Sequence, residues 1–244
     1  MTLIVAAALL LWHGLPQAAP MAVLFIGNSL TAANDLPAMV GEIARSYGAP
    51  MAHETIALPD FSLEDHWQKG TAARAIARGG WSTIVLQQGP SALPESRVLL
   101  RAFARKFDGE ARRAGARTAL YMVWPAAARK GDFDAVHQSY ALAADDVGGL
   151  FLPAGDAWRA AWRRDSSLAL HAADNFHPTR LGLYLAALVV YAQLTGRKPA
   201  DITRVPALSL LISPRPTPAT ADTIGAAAAG AISAARPHRE PLLQ

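Results

Sequence analysis

Apolar runs of strand length alternate along this chain with stretches whose apolar positions recur at helical spacing. The run 21–26 stops at Gly27 and reads as the first strand. Residues 36–47, with Met39, Val40 and Ile43 as apolar positions, read as a helix that Gly48 ends. The segment 51–58 reads as a second strand, and 63–78 as a helix stopped by Gly79 and Gly80. A short β-branched run at 82–86 is the next strand. Residues 94–114 read as a long helix. Pro94 and Glu95 stand at its start and Arg112 and Arg113 at its end before Gly115, the order that suits a helix dipole. A strand at 116–124, a helix at 133–147, a short strand at 150–152 and a helix at 155–164 follow. Thr179 is placed to cap a helix over 181–194 that ends at Gly196. Residues 212–218 are proline-rich and read as a connection, 219–235 as an alanine-rich helix, and 237–244 as a loose tail. Strands alternating with helices predict a parallel sheet covered on both faces, a three-layer α/β/α sandwich. No repeat and no second domain are expected, so one domain spans 20–236.

Composition narrows the classes. Of the 244 residues 52% are hydrophobic and 17% charged, which argues against a disordered chain and for a large core. A net charge of +4 favours approach to anionic polymers or membranes. No basic-aromatic motif accompanies it, so no nucleic-acid partner is expected. The absence of cysteine excludes disulfides, thiol nucleophiles and thiolate metal sites, and neither metal nor cofactor is expected. The apolar run 3–12, followed by Pro16 and then Ala18-Ala19, reads as a signal peptide cut near Ala19, which implies a periplasmic or secreted protein. No Lys or Arg precedes that run and Gln17 fits a cleavage site poorly, so a membrane anchor or an over-extended start is the other reading. No later segment looks membrane-spanning, since 181–194 is short and contains Tyr and Gln.

The candidate chemistry begins at Ser29, two positions past Gly27, where the first strand delivers it to the carboxyl edge of the sheet. Serine hydrolysis needs a hydroxyl nucleophile, an imidazole base, a carboxylate to orient the imidazole, and donors for the oxyanion. Far downstream, Asp174 and His177 can turn toward one point from a single loop. A serine after a glycine is by itself more often a turn or a cap. The combination, in the order Ser29, Asp174, His177, is what points to a triad. Other residues read more simply. His66 beside Asp65 lacks the three converging ligands a metal needs. Arg97, Arg101 and Arg105 share one helix face, either solvated or facing an anionic polymer. His171 is placed to line the pocket, and Trp124 is either an apolar or sugar-stacking wall or part of the core.

Gly27-Asn28-Ser29-Leu30 and Asp174-Asn175-Phe176-His177-Pro178 resemble the SGNH, or GDSL-like, hydrolase family, and the resemblance spans most of the chain after the leader. It implies a flavodoxin-like sheet and a triad of Ser29, Asp174 and His177. It also implies an oxyanion hole made by the Ser29 N–H, a glycine N–H after the second strand and an asparagine side chain after the third. Asn28 stands where the family has aspartate. Pro59-Asp60-Phe61 has no glycine, so Asp60 would serve by its backbone N–H alone. Leu86-Gln87-Gln88-Gly89 replaces the usual Gly-x-Asn-Asp and is similar to glutamine-bearing, carbohydrate-esterase-like branches. Gln87, which directly follows the strand, is the expected donor, with Gln88 as the alternative since pleating turns only one inward. Asn28, Trp124 and His171, by their positions along the chain, are the expected substrate contacts. The implied activity is an exported serine esterase forming an acyl-enzyme on Ser29 from a small-molecule or carbohydrate ester, with a short acyl or acetyl group. A weakened carbohydrate-binding or accessory domain, motivated by Asp60, and a lipase or thioesterase with the same triad remain as alternatives.

Overall fold

The computed structural model describes residues 21–202, 212–213 and 215–235. Five strands, β1 (Met21–Gly27), β2 (Met51–Ala57), β3 (Thr83–Leu86), β4 (Arg117–Tyr121) and β5 (Leu150–Leu152), form one sheet in the order β2-β1-β3-β4-β5. Every pairing in it is parallel. Strand pleating sends alternate residues to opposite faces, and β1 shows the result. Val23 and Phe25 belong to one apolar cluster, Leu24 and Ile26 to the other, and all four are fully buried.

Helices α2 (Leu36–Ser46), α7 (Ala154–Arg164), α8 (Arg180–Thr195) and α9 (Pro218–Ala235) cover the first face. Helices α3 (Leu63–Lys69), α4 (Thr71–Ala77), α5 (Pro94–Arg113) and α6 (Phe133–Val147) cover the second, completing the three layers. α8 is apolar around its circumference because α2, α7 and α9 enclose it. No helix among the described residues is long and apolar enough to cross a membrane. Arg97 on α5 donates to Ser139, while Arg101 and Arg105 both pair with Asp146, so this arginine face binds α5 to α6.

The helix expected over 63–78 is interrupted. Gly70, at φ +74°, ends α3 in the left-handed region and opens α4. The strand expected at 116–124 leaves the ladder after Tyr121, although Met122, Val123 and Trp124 remain fully buried. A single helical turn, α1 (Ser29–Ala32), and 3-10 turns at Ala127–Asp132 and Pro199–Ile202 are too short for periodicity to announce. The segments read as a leader (1–19) and a loose tail (237–244), and part of the proline-rich connection, lie outside the described residues. At the carboxyl edge the chain leaves β1 for β2 on one side, and leaves β3 for β4 on the other. A crevice therefore opens where the strand order reverses. Ser29 follows β1 there, and Gln87 and Gln88 follow β3.

Candidate active site

A side chain at Gly27 would place its Cβ 2.4 Å from both Gln87 Oε1 and Thr31 Oγ1, so only glycine lets the chain leave β1 at this point. Asn28 then caps α1, its Oδ1 accepting the Leu30 N–H at 3.1 Å. The Asn28 N–H donates to Gln87 Oε1 at 2.9 Å, and Asn28 Nδ2 donates to the Phe61 carbonyl at 3.2 Å. These bonds hold the turn from below and draw the loop after β2 alongside it. Ser29 is half-buried at the start of α1, and neither its hydroxyl nor its backbone N–H has a protein partner among the described residues. Asp60, on the neighbouring loop, is exposed and has φ +61°, a conformation that glycine adopts freely and Asp tolerates better than most residues. The backbone course thus survives the loss of the glycine. The Asp60 N–H also donates to no protein acceptor among the described residues.

The second half of the site is a loop closed by the His171–Pro178 bridge and by the Ala172 N–H on the His177 carbonyl at 2.8 Å. The Asp174 Oδ1 accepts the backbone N–H groups of Phe176 and His177 at 3.0 and 2.9 Å, and its Oδ2 meets His177 Nδ1 at 2.6 Å. The backbone bond from Phe176, and after it the His177 ring, hold the Asp174 carboxyl down at about 2, so it is ionised throughout the neutral range. A carboxylate on Nδ1 fixes the tautomer whose Nε2 is free to take a proton. Asn34 joins the two halves: its Nδ2 donates to the Pro178 carbonyl at 2.8 Å, tying the segment after α1 to the histidine loop. Sequence patterns do not single out Asn34. Its one local signal is an Asn-Asp pair, which here takes up φ +54° and +58°.

Asp174→Asn is expected to lower kcat by about 10²- to 10⁴-fold with little change in melting temperature, because the amide no longer stabilises an imidazolium or selects its tautomer. Steady-state kinetics beside a thermal melt check this.

Several expected contacts are corrected. Gln87 is fully buried, its Oε1 accepting from Asn28 N–H and, at 2.6 Å, from Thr31 Oγ1, while its Nε2 donates to Asn28 Oδ1 at 2.9 Å and to the Gln88 carbonyl. Gln88 donates to Ser91 Oγ and the Ser96 carbonyl and accepts the Leu63 N–H. Both amides are spent inside the protein, and neither has an N–H left for an oxyanion. Pleat alternation does not separate the two, since β3 ends at Leu86. Asn28, 7% exposed, is a cap rather than a substrate contact. Trp124 is fully buried, stacks on Trp158 with ring centroids 3.6 Å apart, and donates to the Phe176 carbonyl, so it supports the histidine loop from behind. His171 packs edge-on against Trp158 with its Nε2 3.1 Å from the Pro125 carbonyl, which makes it a prop for the same loop.

His66 is buried with its Nε2 on the Gly27 carbonyl at 2.7 Å, directly under the turn, and its Nδ1 has no partner among the described residues. Burial lowers its pKa below the ordinary 6.5. A group that folding keeps neutral stabilises the protein above its unfolded pKa, and that contribution falls away as pH drops below about 6.5 and on through the lower folded value. His66→Gln keeps an N–H for Gly27 and cannot titrate. The wild-type advantage in melting temperature over this variant is therefore expected to shrink between pH 7.5 and pH 5; a constant difference contradicts it.

No family model matches the chain, and no curated protein matches it. Solved structures do. A candidate SGNH hydrolase from Slackia heliotrinireducens is 27% identical over 72% of this chain and 100% of its own, with a TM-score of 0.63. A DUF4886 family protein from Bacteroides uniformis is 20% identical over 87% of this chain and 95% of its own, with a TM-score of 0.71. An acetyl-xylooligosaccharide esterase from Geobacillus Stearmophilus, in a mutant form, shares the fold at 12% identity and a TM-score of 0.51, over 72% of this chain and 93% of its own.

Proposed function

We propose that this chain, whose fold is that of the SGNH hydrolases, is a serine hydrolase cleaving carboxylic esters through an acyl-enzyme on Ser29. The observation that carries the reading is the pairing of an ionised Asp174 with His177 Nδ1 on a loop that Asn34 ties to the turn bearing Ser29. In this mechanism His177 Nε2 takes the Ser29 proton as Oγ attacks the ester carbonyl, and the imidazolium is stabilised by Asp174. The tetrahedral oxyanion is met by the Ser29 and Asp60 N–H groups, which have no other acceptor among the described residues. Collapse releases the alcohol with the proton from His177. Water then repeats the sequence on the acyl-enzyme and releases the acid.

The acyl group is short and the alcohol polar, with a carbohydrate acetyl ester as the reading's preferred case. The large exposed apolar residues among those described are Leu93, Val98 and Leu99, at the start of α5 and just before it. None comes from the loops bearing Ser29, Asp60 or His177, whose exposed members include Asn34, Asp60, Asp174 and Asn175. A long acyl chain would find little apolar surface on such loops. One neighbour's description as an acetyl-xylooligosaccharide esterase is compatible with this choice. Export follows from the leader reading of 1–19 and is proposed on that basis. A panel of esters from acetyl to dodecanoyl, with acetylated oligosaccharides alongside, tests the substrate class. Preference for acetyl supports it, and a kcat/KM that climbs with chain length overturns it in favour of a lipase or thioesterase.

A further inference from the structure

We propose that Gln87 is a positioning residue for catalysis: its carboxamide clamps Asn28 and Thr31 from inside the protein, so that the Ser29 N–H is left free for the oxyanion. The proposal rests on the reading of Ser29 as nucleophile and replaces a direct role of Gln87 in the oxyanion hole with an indirect one.

α1 has only four residues, too few to hold itself, since a single helical turn fixes several backbone angles for very few hydrogen bonds. Gln87 supplies what the turn lacks. One carboxamide grips Asn28 at two points, accepting its backbone N–H at 2.9 Å and donating to its side-chain oxygen at 2.9 Å. It grips Thr31, three residues on, at 2.6 Å. Ser29 lies between the two grips. The glutamine is itself held, its backbone N–H donating to the Ile26 carbonyl at 2.9 Å just past the end of β3. Gln87 and Thr31 are 0% and 1% exposed, so neither is open to substrate. The Asn28 N–H and the Leu30 N–H both have side-chain acceptors, and the Ser29 N–H between them has none among the described residues. The clamp therefore leaves this one donor available next to the hydroxyl, and the Asp60 N–H joins it from the loop that Asn28 Nδ2 holds through Phe61. Glutamine is the residue the position needs: a glutamate of the same length would set an oxygen against Asn28 Oδ1 and the Gln88 carbonyl, acceptor facing acceptor.

The test is a double-mutant cycle with Gln87→Ala and Thr31→Val, read by ester kinetics and by amide hydrogen exchange at residue 28. Gln87→Ala is expected to lower kcat about 10²-fold with KM within about twofold, the scale of a displacement of about 1 Å at a reacting centre. Thr31→Val, which removes a grip on the turn without nearing substrate, should lower kcat about tenfold, and the double variant should be no worse than Gln87→Ala alone. Exchange at the Asn28 amide should quicken at least tenfold in Gln87→Ala while β4 amides keep their protection. Should Gln87→Ala fail to fold, Gln87→Met, which keeps the side chain's length and removes both its acceptor and its donor, carries the same readouts. A Thr31→Val variant with wild-type kcat, or additive losses in the cycle, overturns the proposal in favour of a direct oxyanion contact. Wild-type kcat and unchanged Asn28 exchange in Gln87→Ala overturn any role. Exchange is read without turnover: wild-type protein that cleaves no ester, with an Asn28 amide that still responds to Gln87→Ala, refutes the hydrolase reading and the catalytic role while the clamp stands.

Discussion

Ser29→Ala is expected to abolish ester turnover, by about 10³-fold or more, while the melting temperature stays within a degree or so of the wild type. The hydroxyl has no protein partner among the described residues, so its removal breaks no bond on which the turn depends. Asn28 still caps α1 and Gln87 still holds Asn28. His177→Ala should match this loss, and the double variant should be little worse, because a base without its nucleophile has nothing to activate. Hydrolysis of a short-chain ester measured with purified variants, beside a thermal melt, checks both. A Ser29→Ala protein retaining a tenth of its activity contradicts the mechanism.

Gly27→Ala is expected to be the most damaging change of one methyl group in the site, destabilising the protein by about 3 kcal/mol and lowering its melting temperature by roughly 6–12 °C. The new Cβ would meet Gln87 Oε1 and Thr31 Oγ1 at 2.4 Å and Thr31 Cβ at 3.0 Å. Side-chain ends often swing away from such a contact. Here they cannot without cost, since Gln87 Oε1 is bonded to both Asn28 and Thr31 in a fully buried position. Any relaxation that saves the fold shifts the turn, so kcat should fall with stability. Gly89→Ala is the matching control: its Cβ would find nothing within 4 Å and its φ is not in the left-handed region. Equal melts for the two variants would refute the close packing under the turn.

The sheet and the two ends of the site were legible because their signals are local. An apolar run that stops at Gly27 marks the end of a strand wherever the rest of the chain goes, and Phe133–Val147 is the helix its periodicity announces. Asp174 and His177, three residues apart on one loop, likewise meet without help from distant elements beyond those that brace the loop. What escaped the sequence depends on partners far along the chain. The resemblance makes Gln87 an oxyanion donor, preferred to Gln88 because it directly follows the strand; the alternation that would let only one of the two face the site lapses once the strand ends at Leu86, and the Gln87 amide is consumed by a residue 59 positions away. Trp124 stood where ligands collect, yet buried residues continue through it and Trp158 takes its face. Asn34 reaches across 144 positions to Pro178, and no local pattern carries such a contact. The break at Gly70 was hidden because one glycine inside a helical pattern costs only about 1 kcal/mol and is often tolerated.

The proposed mechanism requires Ser29 to be an activated nucleophile. Incubating the purified protein with a fluorophosphonate and mapping the adduct by peptide mass spectrometry tests this, because the phosphorus reacts by far the fastest where a base and oxyanion donors activate a hydroxyl. The expected result is one stoichiometric adduct on Ser29, lost in Ser29→Ala and greatly slowed in His177→Ala. An unmodified protein, or an adduct on another residue, contradicts the account.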